Sequence, residues 1–301
     1  RASATTATVT TDANGRASVR LRSTAVGQAI VGGTIRTEPP SFVLVTFEPG
    51  DPYSIVLSVD PGIIPGCGGT ALARAEVRDR YRNLVRDGTV VVFDITPQGD
   101  VSPIDGGRTT NGVAQAIISS GTVPGPADVW AWAEQWRSQT AASFGVVFLV
   151  GPPDRLELTA QPPSLIVGGN RSSLQLHVMD CGGYPVEDST PVTFTIVSGQ
   201  GSLSPQFTTT ANGWAYSTLT SPNETGSATI RAQVGNREKT TVVAYIPGPP
   251  FTVLLDAVPA AIAADGVSTS TIGAEIKDRY GNYVIDNTTV VFTTDLGRFE
   301  T

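Results

Sequence analysis

The chain has 301 residues, 40% hydrophobic and 16% charged, with a mean hydropathy of +0.03, so it can bury real cores and falls outside the disordered class. Its 20 Lys and Arg against 27 Asp and Glu leave a net charge of -7, the wrong sign for a phosphate-tracking surface, which argues against nucleic acid as a partner. One His, one Met and two Cys leave little for metal ligation, general bases or thiol nucleophiles, and no apolar run approaches the roughly 18 to 20 residues of a membrane span; the expectation is a non-enzyme with no metal, no cofactor and no transmembrane segment here.

Thirty-two Gly and 22 Pro punctuate short alternating runs of Val, Ile, Thr and Phe. No 3.6-period segment of helical length interrupts them, so the predicted fold class is all-β. Residues 1–52 begin before Asn14-Gly15 and hold only closing strands. Residues 53–153 hold a full set, from an opening strand at Tyr53 with Pro61, through a strand ending at Asp79 and another at Phe93, to Asn111-Gly112 and the strand of Trp130 and Trp132. Residues 154–250 repeat the order with Pro162, Asp180, Phe194 and Asn212-Gly213, and Pro247-Gly248-Pro249-Pro250 reads as a short stiff linker matching Gly151-Pro152-Pro153. Residues 251–301 open again at Phe251 with Pro259, Asp278 and Phe292, and stop just after that strand.

The spacing makes this an internal repeat. Asp79, Asp180 and Asp278 are 101 and 98 positions apart, and Phe93, Phe194 and Phe292 keep the same two intervals. Asn-Gly supplies the positive φ of a tight hairpin turn, and an Asp at a strand end can fold its carboxylate onto backbone N–H groups and stop the ladder. That turn capping is preferred here to calcium binding, since no Asp-x-Asp-x-Asp-Gly run occurs. About seven short strands per hundred residues is the pattern of an immunoglobulin-like sandwich.

The segments Asp265-Gly-Val-Ser-Thr-Ser-Thr-Ile, Asp278-Arg-Tyr-Gly-Asn and Val290-Val-Phe-Thr-Thr, with Thr10-Thr-Asp-Ala-Asn-Gly-Arg-Ala-Ser-Val-Arg-Leu, resemble the bacterial immunoglobulin-like domains of invasin and intimin type. The middle units depart from that pattern, with Cys181-Gly182-Gly183 in place of the Arg-Tyr-Gly turn and Arg82 at the position of Gly281. The resemblance implies a rigid extracellular or cell-surface rod of non-catalytic modules, sometimes bearing an adhesive tip.

The terminal pieces of 52 and 51 residues together make 103, one domain's worth beside the 101 and 97 of the internal units. Neither half buries its inner face alone. The expected organisation is therefore tandem sandwiches arranged end to end, with residues 251–301 of one copy completed by residues 1–52 of the next, as a repeat of an extracellular filament or stalk. Other copies of the chain are the expected partners, head to tail and in lateral bundles. The alternative is an adhesin segment that binds carbohydrate or a host protein through exposed aromatics.

Trp130 and Trp132 alternate with apolar Val129, Ala131 and Ala133, and Trp214 and Tyr216 alternate with Ala215, so these four are expected to face outward as lateral or ligand contacts. His177 is read as a strand residue with a satisfied hydrogen bond. Cys67 follows the first strand of its domain and Cys181 the second strand of the following one. In a sandwich these loops lie at opposite poles, which head-to-tail stacking brings together; an interdomain disulfide is the expectation.

Overall fold

The computed structural model describes residues 5–36 and 38–300, and folds the chain into two units, residues 1–149 and 150–301. In the first unit the strands are β1 (Gly27–Gly33), β2 (Ser41–Phe47), β3 (Pro52–Asp60), β4 (Ile63–Ile64), β5 (Thr70–Asp79), β6 (Val91–Thr96), β7 (Asp100–Pro103), β8 (Val113–Ser119), β9 (Gly125–Ala133) and β10 (Ala142–Phe148). Two four-stranded sheets, β3-β5-β8-β7 and β4-β10-β9-β6, face each other over one core, and β1 pairs with β2 apart from them. All pairings are antiparallel except the short β4 with β10.

The second unit repeats the plan. Its strands are β11 (Arg155–Gln161), β12 (Ser164–Ile166), β13 (Arg171–Met179), β14 (Pro191–Ser198), β15 (Ser202–Ser204), β16 (Phe207–Thr209), β17 (Trp214–Thr220), β18 (Gly226–Val234), β19 (Arg237–Ile246), β20 (Thr252–Val258) and β21 (Thr271–Lys277). The sheets β11-β13-β17-β15 and β12-β19-β18-β14-β16 enclose a core, and β20 pairs with β21. Period-2 alternation sets the faces: Leu174, Leu176 and Val178 of β13 are fully buried against Ile230, Ala232 and Phe194, while the residues between them point out. The equivalent core in the first unit holds Val77, Ile118, Val129 and Phe148.

The half-sets behave differently from the full ones. The alternating segment after Gly15 is expected to be a strand, yet residues 16–22 form none, and neither do residues 288–294 around Phe292. The physical reason lies in their partners. The strand equivalent to residues 16–22 is β8, which pairs with β5 and β7, and the strand equivalent to residues 290–294 is β6, which pairs with β9. Each half lacks those partners, so no ladder forms. The Asn-Gly turns do form as expected in the complete sandwiches: Asn111 and Gly112 have φ of 50° and 72°, Asn212 and Gly213 of 50° and 76°.

Candidate functional site

Each repeat buries one aspartate at the end of its second strand and divides its carboxylate between two tasks. Oδ1 of Asp79 accepts the N–H groups of Tyr81 and Asn83 at 2.8 and 2.9 Å, and Oδ2 accepts that of Gly50 at 3.0 Å. Asp180 takes Gly182 and Tyr184 on Oδ1 and Gly151 on Oδ2, all at 2.9 Å. Asp278 takes Tyr280 and Asn282 at 2.8 and 2.9 Å, and Gly248 at 3.0 Å. One oxygen closes the domain's own turn while the other fastens the glycine of the segment that enters the domain. Burial pushes the carboxyls of Asp79 and Asp278 up, but these N–H donors and the Asn side chains outweigh it and hold both below the ordinary carboxylate range.

Two of the three turns carry a second arm. The Asn83 side-chain amide donates to the Thr24 carbonyl at 2.9 Å and its oxygen accepts from Val26 N–H at 3.4 Å. Asn282 does the same to the Asn223 carbonyl at 2.8 Å and from Thr225 N–H at 3.2 Å. At the middle turn the corresponding residue is Tyr184. The residue one before that position is left-handed in all three turns, with φ of 70° at Arg82, 83° at Gly183 and 90° at Gly281, so Arg82 holds a conformation that favours glycine.

The loop after the first strand also recurs. Cys67, with φ 63°, donates its N–H to the Gly121 carbonyl at 3.0 Å, and its equivalent Gly168, with φ 96°, donates to the Pro222 carbonyl at 2.8 Å. Against Gly168 lies the ring of Tyr280, close enough that any Cβ there would collide with Cε2 and Oη. Cys67 sits at the end of its sandwich where β4 and β10 finish together, and Cys181 sits in the turn that Asp180 caps beside Gly151.

The aromatics divide into two groups. Trp130 and Trp132 are half-buried on the outer face of β9, and the Arg137 guanidinium of the short helix α1 (Arg137–Thr140) lies 4.3 Å from the Trp132 ring centroid. On the sheet β11-β13-β17-β15 the rings of His177, Trp214 and Tyr216 form a parallel row. His177 stacks on Trp214 at 4.3 Å and 5°, and Trp214 on Tyr216 at 6.4 Å and 16°. His177 thus differs from its expected state: cross-strand pairing with Trp214 places it in a stack, and its ring makes no hydrogen bond among the described residues. The row is confined to this sandwich, because Val113 and Gln115 of the first stand where Trp214 and Tyr216 do.

The sequence reading found the aspartates and missed the asparagines. The signal was present, as Asp-x-x-x-Asn at 79–83 and 278–282, but a side-chain amide that crosses to the preceding domain leaves no periodicity to detect. Residues 153–248 match the family model of invasin, domain 3. The second sandwich is an invasin-type domain. It carries Cys181, the Asp180 turn and the His177–Trp214–Tyr216 row, and the repeat spacing sets the first sandwich on the same plan. Among solved structures the chain is similar to the Escherichia coli adhesin FdeC, with 21% identity over 80% of this chain and 79% of that one and a TM-score of 0.44. It is also similar to Yersinia pseudotuberculosis InvD, with 21% identity over 76% and 72% and a TM-score of 0.38, and to the surface layer protein SbsC, domains 4–9, with 20% identity over 86% and 42% and a TM-score of 0.27. Among the described residues no helix is long and apolar enough to cross a membrane.

Proposed function

We propose that the chain is a non-catalytic stalk segment of a cell-surface or extracellular protein, in which immunoglobulin-like sandwiches follow one another through short, fastened linkers. The observation that supports this reading best is the repeated aspartate whose second oxygen holds Gly50, Gly151 or Gly248. A linker whose glycine N–H is bonded into the next domain loses the freedom to swivel, and mechanical reach needs that loss. Small-angle scattering tests it. Asp278→Ala is expected to broaden the distance distribution while leaving the complete sandwiches folded; superimposable curves would contradict the reading.

The finer proposal is that the two half-sets are parts of one sandwich, joined head to tail between copies. Positions buried in the complete sandwiches are open in the halves: Leu57 and Leu158 are 9% and 8% exposed, while the equivalent Leu255 is 62% exposed. Val253, Leu255, Ile272, Ile276 and Phe292 line an open apolar trough of about 480 Å³, and Val31 and Val45 on β1 and β2 supply the kind of face that fills its equivalent in the complete sandwiches. Cys67 and Cys181 are proposed to be a disulfide pair. In the invasin-type domain the residue equivalent to Cys67 is Gly168, its neighbour Tyr280 is two positions past Asp278, and Cys181 is one position past Asp180. Non-reducing peptide mapping is expected to recover the two as one linked species, and separate thiol peptides would contradict the pairing.

A second reading is favoured by the stacked row. Exposed Tyr216 and the part of Trp214 that His177 leaves uncovered lie beside the polar Gln175 and Glu157 on neighbouring strands, a combination of aromatic and polar groups of the kind that contacts a sugar, and Trp130 and Trp132 give a lesser surface of the same kind. A glycan array is expected to show binding that Trp214→Ser abolishes, whereas a purely mechanical segment binds nothing there.

A further inference from the structure

The contact between domains in the second unit has three points, and the first unit makes only two of them. In the second, Asp278 holds the linker Gly248, Asn282 holds Asn223 and Thr225, and the Tyr280 ring rests on bare Gly168. In the first, Asp79 holds Gly50 and Asn83 holds Thr24 and Val26, residue for residue the same arrangement. Tyr81, which corresponds to Tyr280, is 60% exposed. Its seat would be the left-handed residue of a first-strand loop, and residues 5–52 contain no such loop, because they hold only closing strands.

The matching loop of the opposite half is present at residues 259–270. The Ser270 hydroxyl donates to the Pro259 carbonyl at 2.7 Å, as the Ser172 hydroxyl does to Pro162. Counting back four residues from each serine gives Gly266 and Gly168, with φ of 71° and 96°. A Cβ on Gly266 would meet nothing within 4 Å. Asp265 already shapes this loop, since its carboxylate accepts the N–H groups of Ser268 and Val267 and the Ser268 hydroxyl, which hold it down to about 2.

We propose that Tyr81 of one copy seats its ring on Gly266 of another, completing the three-point contact at the joint that follows the shared sandwich. This rests on the head-to-tail reading and adds to it a residue-level contact between copies. The partner surface is thus a second copy of this chain, recognised by a glycine loop with open space where a Cβ would stand. Conversely, a side chain at Gly266 would strain the backbone at positive φ and fill the seat.

The test places the photoreactive p-benzoylphenylalanine at Tyr81 of the full chain and irradiates an equimolar mixture of isotope-labelled and unlabelled copies. The expected product is a mixed-isotope peptide joining residue 81 to the Gly266 loop. The same probe at Tyr280 is the positive control, linking to the Gly168 loop within one chain. A third probe at Thr46, whose equivalents Val147 and Ala244 pair with Ile63 and Ser164, reports the head-to-tail reading separately, because it should link to Ala261 of another copy. Gly266→Val is expected to abolish the Tyr81 link and to leave the Thr46 link in place. A Thr46 link without a Tyr81 link would overturn the seat and keep the shared sandwich; loss of both links in the unmodified loop would overturn both.

Discussion

Leu158 and Leu255 are the same residue at the same repeat position, 8% exposed in the invasin-type domain and 62% in the opening half. Phe194 and Phe292 make the same contrast at 1% and 37%. Sequence at these positions is equal and environment is not, so burial belongs to the completed sandwich rather than to the strand. The local features survive in the halves: Asp278 closes its turn, Gly15 and Gly266 hold positive φ, and β20 pairs with β21 over seven residues. What is missing is every ladder whose equivalent in the complete sandwiches draws on a strand outside the half-set. Turns are encoded within a few residues and sheets are not.

The largest expected effect comes from making the halves equal to the whole. Appending residues 1–52 after Thr301 supplies the closing strands in sequence, and amide exchange in residues 288–294 is expected to slow by orders of magnitude, to the level of the equivalent β14. Unchanged rates would mean that the two halves are not complementary.

Core truncation sharpens the same comparison. Phe194→Ala is expected to cost about 3 to 5 kcal/mol in denaturant unfolding of the invasin-type domain, as expected for a fully buried aromatic. Phe292→Ala in the 301-residue chain should cost less than about 1 kcal/mol, and should approach the larger value once the closing half is appended.

The turn carboxylates give the next effect. Asp79→Ala removes the acceptor of three backbone N–H groups in a buried turn and is expected to cost about 2 to 3 kcal/mol. Both Asp79 and Asp278 sit below the ordinary carboxylate range when folded, so their contribution is complete above roughly pH 4, the unfolded value, and is lost only as pH falls through the lower folded values. Linker stiffness measured by scattering should therefore hold from neutral pH down through the ordinary carboxylate value of about 4 and soften only below it. Softening near pH 6 would point to a different group.

The smallest effect concerns Arg82, held at φ 70° where the other two turns have glycine. Arg82→Gly relieves that strain against a gain in unfolded-state entropy, for a net stabilisation of about 0.5 to 1 kcal/mol in thermal unfolding of the first unit. A loss of stability would show that the Arg82 position matters for more than backbone shape.

Much of this was legible in the sequence because the repeat carries it. Asn111-Gly112, Asp79 with its polar turn and the alternation around Ala131 each state a local geometry, and three copies at spacings of 101 and 98 confirm one another. The His177–Trp214 stack was not legible, since it depends on the register between β13 and β17, which 36 intervening residues conceal. The Asn83 and Asn282 arms escaped for the same reason: each joins groups 57 to 59 positions apart, on different domains.

We propose that the halves complete one another between copies. Electron microscopy of the purified chain over a concentration series tests it most directly. Fibres are expected with an axial repeat on the order of 120 Å, three sandwiches of about 40 Å each at roughly 3.3 Å per strand residue plus loops. Isolated short rods of a single chain at every concentration, with both half-sets still open, would contradict it.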